Sequence, residues 1–129
     1  MGLMGQYLID TNVISDYILG QLPDRAMNFV SGVIDMTANI SIMTAIETLS
    51  WRSSEEYEAT IQKFVDKFNI LDLSQQIVDC CIQIRRSKKI KTPDAIIAAT
   101  AIVHDLTLIT SDSHFSNIPE LLLINPRGM

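Results

Sequence analysis

Short apolar runs alternate with longer stretches of helical periodicity along this chain. Tyr7-Leu8-Ile9 is an apolar triplet closed by Asp10. Thr11 or Asn12 can cap a helix running to about Leu19, and Gly20 ends it. Ala26, Phe29, Val30, Val33 and Ile34 share one face of a helix expected over Asp24 to Met36. Ile40-Ser41-Ile42 reads as a second strand, and Thr44 as the start of a helix carrying Ile46 and Leu49. Ser53 with Glu56 has the pattern of a capping box, opening a helix to about Phe68. Ile70-Leu71-Asp72-Leu73 reads as a third strand, after which Ser74 caps a helix bearing Ile77, Val78, Cys81, Ile82 and Ile84. Thr92-Pro93 supplies an N-cap and a first-turn proline for a helix to about His104. Leu106 to Thr110 is a fourth strand, and Leu121 to Ile124 a short fifth closed by Asn125-Pro126. Strands alternating with helices predict an α/β fold, with a mainly parallel sheet and helices on both faces.

At 129 residues the chain has room for a single domain spanning 1–129. Hydrophobic residues make up 47% and charged residues 19%, which supports a packed core and excludes wholesale disorder. The longest mainly apolar run, Ala95 to Val103, is well short of the ~18 residues that a membrane span needs. No Lys or Arg precedes Arg25, so a secretory leader is not expected, and Gln6 stands where a myristoylation site after Met1-Gly2 would need Ser or Thr. Cys80 and Cys81 are adjacent and point in different directions on a helix, so they read as two buried core thiols in a reducing cytoplasm. A net charge of −5 argues against a protein that coats nucleic acid through bulk positive charge.

The chemistry concentrates at the carboxyl ends of the predicted strands, where ligands bind in open α/β sheets. Asp10 ends the first strand and Asp112 follows the fourth. Glu47 lies in the first turn of the helix after the second strand, and Asp94 in the first turn of the helix before the fourth. Each has an ordinary structural explanation. Glu47 completes a Thr44-x-x-Glu47 capping box, Asp94 suits a helix dipole, and Asp112 sits in a turn. Asp10 looks surplus as a cap beside Thr11 and Asn12. Asp94, however, begins the stripe Asp94, Ile97, Ala98, Ala101, Ile102, and an unpaired carboxylate on an apolar helix face is costly. Four converging carboxylates would repel one another, and a hard divalent cation resolves the repulsion. Without these four, the 15 acids would nearly match the 10 bases. Five of those ten bases, Arg85, Arg86, Lys88, Lys89 and Lys91, stand within seven residues just before Asp94. They read either as a helix C-terminus and solvated loop or as a strip that draws phosphates towards the acids.

At these residues the sequence resembles the PIN-domain ribonucleases, and within them the VapC-type toxins of bacterial toxin–antitoxin pairs. The resemblance rests on Tyr7-Leu8-Ile9-Asp10-Thr11-Asn12, Ser41-Ile42-Met43-Thr44-Ala45-Ile46-Glu47, Pro93-Asp94-Ala95-Ile96-Ile97-Ala98-Ala99-Thr100-Ala101 and Leu108-Ile109-Thr110-Ser111-Asp112-Ser113-His114-Phe115, in family order. It implies a three-layer α/β/α fold with sheet order 3-2-1-4-5 and a Mg²⁺- or Mn²⁺-dependent endoribonuclease. Asp10, Glu47, Asp94 and Asp112 match the family's four acids, with Asp10 and Asp94 its most regular metal ligands. Asn12 and Thr110 match residues that support the acids by hydrogen bonds. His114 is a departure, because many relatives carry a further acid there, so the resemblance does not extend to a strong second metal position. It further implies a VapB-like antitoxin that blocks the acidic pocket, and a homodimer. Trp51, Tyr57 and Phe64 could anchor that dimer or serve the chain's own core.

Two alternatives remain distinct in kind. A phosphoacceptor receiver domain would need an Asp at the end of the third strand and a late Lys, whereas Asp72 is expected inside the strand and no Lys follows Lys91. A PIN-like protein-binding module without activity would need no cation. Neither G-x-G-x-x-G nor a P-loop occurs, and His104 and His114 are too far apart in sequence to suggest zinc.

Overall fold

The computed structural model describes residues 6–129. The expectations about Met1-Gly2 and a leader fall largely on residues 1–5, outside the described residues. Five short parallel strands form one sheet: β1 (Tyr7–Ile9), β2 (Asn39–Ser41), β3 (Asn69–Leu71), β4 (Thr107–Ile109) and β5 (Leu123–Ile124), in the order β3-β2-β1-β4-β5. This is the order implied by the sequence resemblance, and it differs from the 2-1-3-4-5 order of receiver domains. The helices are α1 (Thr11–Ile18), α2 (Asp24–Thr37), α3 (Ile42–Leu49), α4 (Glu55–Val65), α5 (Gln75–Ser87) and α6 (Thr92–Val103), with 3₁₀ turns at Ser113–Phe115 and Pro126–Gly128.

Side chains alternate across each strand, so the sheet separates two cores. Leu8 and Leu108 face a core closed by Ile77, Ile84, Ile97 and Phe115. Their neighbours Ile9 and Ile109 face a second core closed by Val13, Val30, Ile61 and Phe68. Helices α5 and α6 therefore cover one face, and α1, α2 and α4 the other. Helix α6 is buried on several sides (Ala95, Ile97, Ala98, Ala99 and Ala101 are all in the core), and its alanines let it pack closely between α5 and the sheet.

Several element boundaries differ from expectation, and each shift has a local cause. Helix α1 is capped by Asp10, whose side chain accepts the Thr11 amide, so Asp10 is not surplus. Helix α3 follows β2 without a loop, because Ser41 caps it by accepting the Met43 amide at 3.0 Å. Glu47 is therefore in the second turn, and the Thr44 capping box does not form. Ile46 and Leu49 are exposed. Ser54, not Ser53, caps α4, while the Glu58 carboxylate takes the Ser53 amide. Strand β3 ends at Leu71, leaving Asp72 exposed just beyond it. Helix α6 begins at Thr92 with Lys91 as its cap, which makes Asp94 its third residue. Cys81 is buried but Cys80 only partly so, and both thiols are free. Phe64 stacks on Tyr17 and meets Phe68 edge-on, and Trp51 packs on the same core, whereas Tyr57 is exposed.

Candidate active site

The β1–β4 pairing places Ile9 opposite Ile109, so Asp10 and Thr110 emerge side by side at the carboxyl ends of two central strands. Asp10 Oδ2 accepts the Thr110 hydroxyl at 2.7 Å, and Oδ1 accepts the Thr11 amide at 2.8 Å. Thr110 Oγ1 in turn accepts the Asp112 amide at 3.0 Å. One hydroxyl thus ties the first acid to the loop carrying the last. Burial pushes the Asp10 pKa up from 3.8 to about 6; its two hydrogen bonds oppose the rise, and Asp94 and Asp112 add to it.

Glu47 reaches the site from α3. The Thr11 hydroxyl lies 2.7 Å from Glu47 Oε1 and 3.0 Å from the Thr44 hydroxyl. A carboxylate only accepts, so the Thr11 hydroxyl donates to Glu47, with Thr44 Oγ1 as a second acceptor beside it. Asp94 stands in the first turn of α6, where burial raises its pKa, Asp112 and Glu47 raise it further, and His114 and Lys91 pull it down. Asp112 caps the Ser113–Phe115 turn: its Oδ1 accepts the His114 amide at 2.8 Å and lies 3.0 Å from His114 Nδ1.

These side chains do not form one uniform quartet. The tight group is Asp94, Asp112 and His114, each offering a ligand atom within 4.8 Å of the others. Asp10 and Glu47 stand outside that group but within electrostatic range of it. Asn12 Oδ1 is buried and has no hydrogen-bond partner among the described residues. Clustered oxygen donors, with Asp10 and Asp94 held above the usual carboxylate range mainly by burial, and with spare lone pairs and an open side, fit a hard divalent cation.

Asp10 is buried, and Glu47, Asp94 and Asp112 line a cleft of about 750 Å³. Its other walls include Arg85, Lys89 and Lys91. The basic strip therefore divides. Arg86 instead borders a neighbouring groove with Leu73, Val78 and Ile82, and Lys88 is held away by donating to the Ser116 carbonyl at 2.9 Å.

Residues 7–121 match the family model described as the PIN domain. The chain belongs to the PIN-domain family. Ribonuclease VapC1 of Methanocaldococcus jannaschii is 29% identical to it over 119 residues, covering 88% of this chain and 81% of the relative. Among solved structures, a toxin–antitoxin complex from Klebsiella pneumoniae is 31% identical and superposes with a TM-score of 0.76, covering 93% of this PIN domain and 97% of that chain. VapBC2 from Rickettsia felis, bound to a DNA fragment from its promoter, is 25% identical with a TM-score of 0.78, covering 92% and 97%.

One residue of this PIN domain's site escapes a reading of the sequence, and a second is read only as a departure from the family pattern. Thr11 looks like a helix cap, yet its hydroxyl holds Glu47. His114 stands where relatives carry an acid, and the Asp112 turn folds it back onto the acids. An Asp two residues before a His in a predicted turn was the available signal, since Asx turns bring such pairs together.

Proposed function

We propose that this PIN domain is a divalent-metal-dependent endoribonuclease and the toxin of a toxin–antitoxin pair. The observation that carries the reading is the convergence of Glu47, Asp94 and Asp112 on one cleft with basic walls, with the buried Asp10 near enough to feel the charge of Asp94 and Asp112. Its likeness to a ribonuclease over most of the chain and to toxin chains in complexes supports the assignment of RNA as substrate. Asp10, Asp94 and Asp112 would hold Mg²⁺ or Mn²⁺. The ion would neutralise charge at the scissile phosphate and lower the pKa of water. Arg85, Lys89 and Lys91 draw the RNA backbone into the cleft by charge. Thr11 fixes one oxygen of Glu47, leaving Oε2 without a partner among the described residues to orient the attacking water and accept its proton. Thr110 keeps Asp10 and the Asp112 loop in register. No side-chain nucleophile is required, and the products carry a 5′-phosphate and a 3′-hydroxyl.

The same reading makes the partners a VapB-like antitoxin covering the cleft and a second copy of the chain, in the cytoplasm. No helix among the described residues is long and apolar enough to cross a membrane. The test is cleavage of a labelled RNA by purified wild type and Asp94→Asn, with sequencing of the 5′ ends. Wild type should cut in Mg²⁺ or Mn²⁺ and stop on chelation, and the variant should cut about 10²- to 10³-fold more slowly. Cleavage by Asp94→Asn at the wild-type rate would overturn the assignment.

A further inference from the structure

His114 is the one nitrogen donor in the tight group, and its placement is built rather than incidental. Phe115 is buried in the core and anchors the 3₁₀ turn. The Asp112 carboxylate closes that turn by accepting the His114 amide at 2.8 Å. The His114 side chain is 76% exposed, yet its Nδ1 lies 3.0 Å from Asp112 Oδ1 instead of pointing freely into solvent. Adjacent ligands of an octahedral ion at ~2.1 Å lie ~3 Å apart, and opposite ones ~4 Å apart. The 4.8 Å envelope of Asp94, Asp112 and His114 is therefore close to what one shared ion needs.

The geometry points to His114 as a nitrogen ligand of the divalent cation held by Asp94 and Asp112, biasing this site towards first-row transition-metal ions over Mg²⁺. The inference rests on the nuclease reading above, because the cation is the one that reading requires. Mg²⁺ favours an all-oxygen shell and gives up water reluctantly, whereas imidazole suits transition ions. A carboxylate at position 114 would favour Mg²⁺. Asp94 and Asp112 supply oxygen in either case, so the imidazole sets the preference rather than the existence of the site. A different role, in which Nδ1–H only orients Asp112, would leave no nitrogen at the ion.

Pulsed electron paramagnetic resonance of the untagged protein loaded with Mn²⁺ separates these roles. The sequence holds two histidines, and His104 caps the far end of α6, ten residues or ~15 Å from Asp94, so a directly bound imidazole nitrogen reports His114. Wild type should show that ¹⁴N coupling. His114→Gln and His114→Asp should bind Mn²⁺ without it, and displacing Mn²⁺ with Mg²⁺ should need about tenfold less Mg²⁺ in His114→Asp than in wild type. Bound Mn²⁺ with no nitrogen coupling in wild type, or coupling that persists in His114→Gln, would overturn the inference and leave the nuclease reading standing. Failure of wild type to bind Mn²⁺ or Mg²⁺ at all would overturn both.

Discussion

The two halves of the acidic cleft are built on opposite plans. Asp10 and Glu47 are each tied to a threonine: Asp10 to Thr110 and Glu47 to Thr11, on elements fixed by the central strands. Asp94 and Asp112 meet His114 at the open side, where protein hydrogen bonds leave much of their accepting capacity unused. The inner half is a frame whose hydrogen bonds offset only part of the cost of burial. The outer half retains both burial and repulsion: burial raises the Asp94 pKa most, Asp112 and Glu47 add to the rise, and His114 and Lys91 relieve only part of it. Rigidity and reactivity are thus divided between neighbouring carboxylates rather than combined in each.

The largest effect that would sharpen this contrast falls on the outer half. Asp94→Asn should lower RNA cleavage by about 10²- to 10³-fold while leaving the thermal midpoint of the metal-free protein unchanged or higher, because it removes repulsion without breaking a hydrogen bond. A large loss of stability would move Asp94 to the frame.

The inner half should reveal itself through pH. Asp10 binds its proton more tightly in the fold than in the unfolded chain, with a pKa raised from 3.8 to about 6. Its stabilising share is therefore full below about pH 4 and lost as pH rises through 6, amounting to up to ~3 kcal/mol. In urea unfolding without divalent ions, wild type should lose about that much stability relative to Asp10→Asn between pH 4 and pH 7. Parallel profiles would show that the Asp10 carboxyl is not strained.

Thr110→Val comes next. It removes the donor to Asp10 and the acceptor of the Asp112 amide together, and should cost ~1–3 kcal/mol with about a tenfold loss of cleavage. A variant with full stability and rate would show the two halves to be uncoupled.

The smallest expected effect concerns the basic wall. Lys91→Ala should lower the salt dependence of RNA binding by about 0.7 in log–log slope. Lys88→Ala, whose amine is engaged at Ser116, should leave it unchanged. Equal effects would restore the strip as a single unit.

Much of this PIN domain was legible in its sequence because burial writes a local pattern. Alternating strands and helices, the apolar triplet before Asp10 and the stripe behind Asp94 led to the layers and to four acids near one edge, whereas the sheet order came from the family resemblance. Element starts were less legible, because a one-residue choice among Ser, Thr and Asp caps turns on which side chain meets which amide. That choice moved Glu47 out of a capping box. Asn39 was also missed: it is buried in β2, donates to the Tyr7 carbonyl at 3.0 Å and accepts from Asn69 at 2.8 Å.

The order of hydrophobic and polar residues, by itself, determined that acids would gather at the strand ends, because strand polarity and crossover handedness follow from local sterics. Only the tertiary structure decided how those acids divide. Whether a carboxylate is tethered by Thr110 or Thr11, or left facing His114, depends on contacts between segments up to 100 residues apart, and such distances leave no trace in local periodicity.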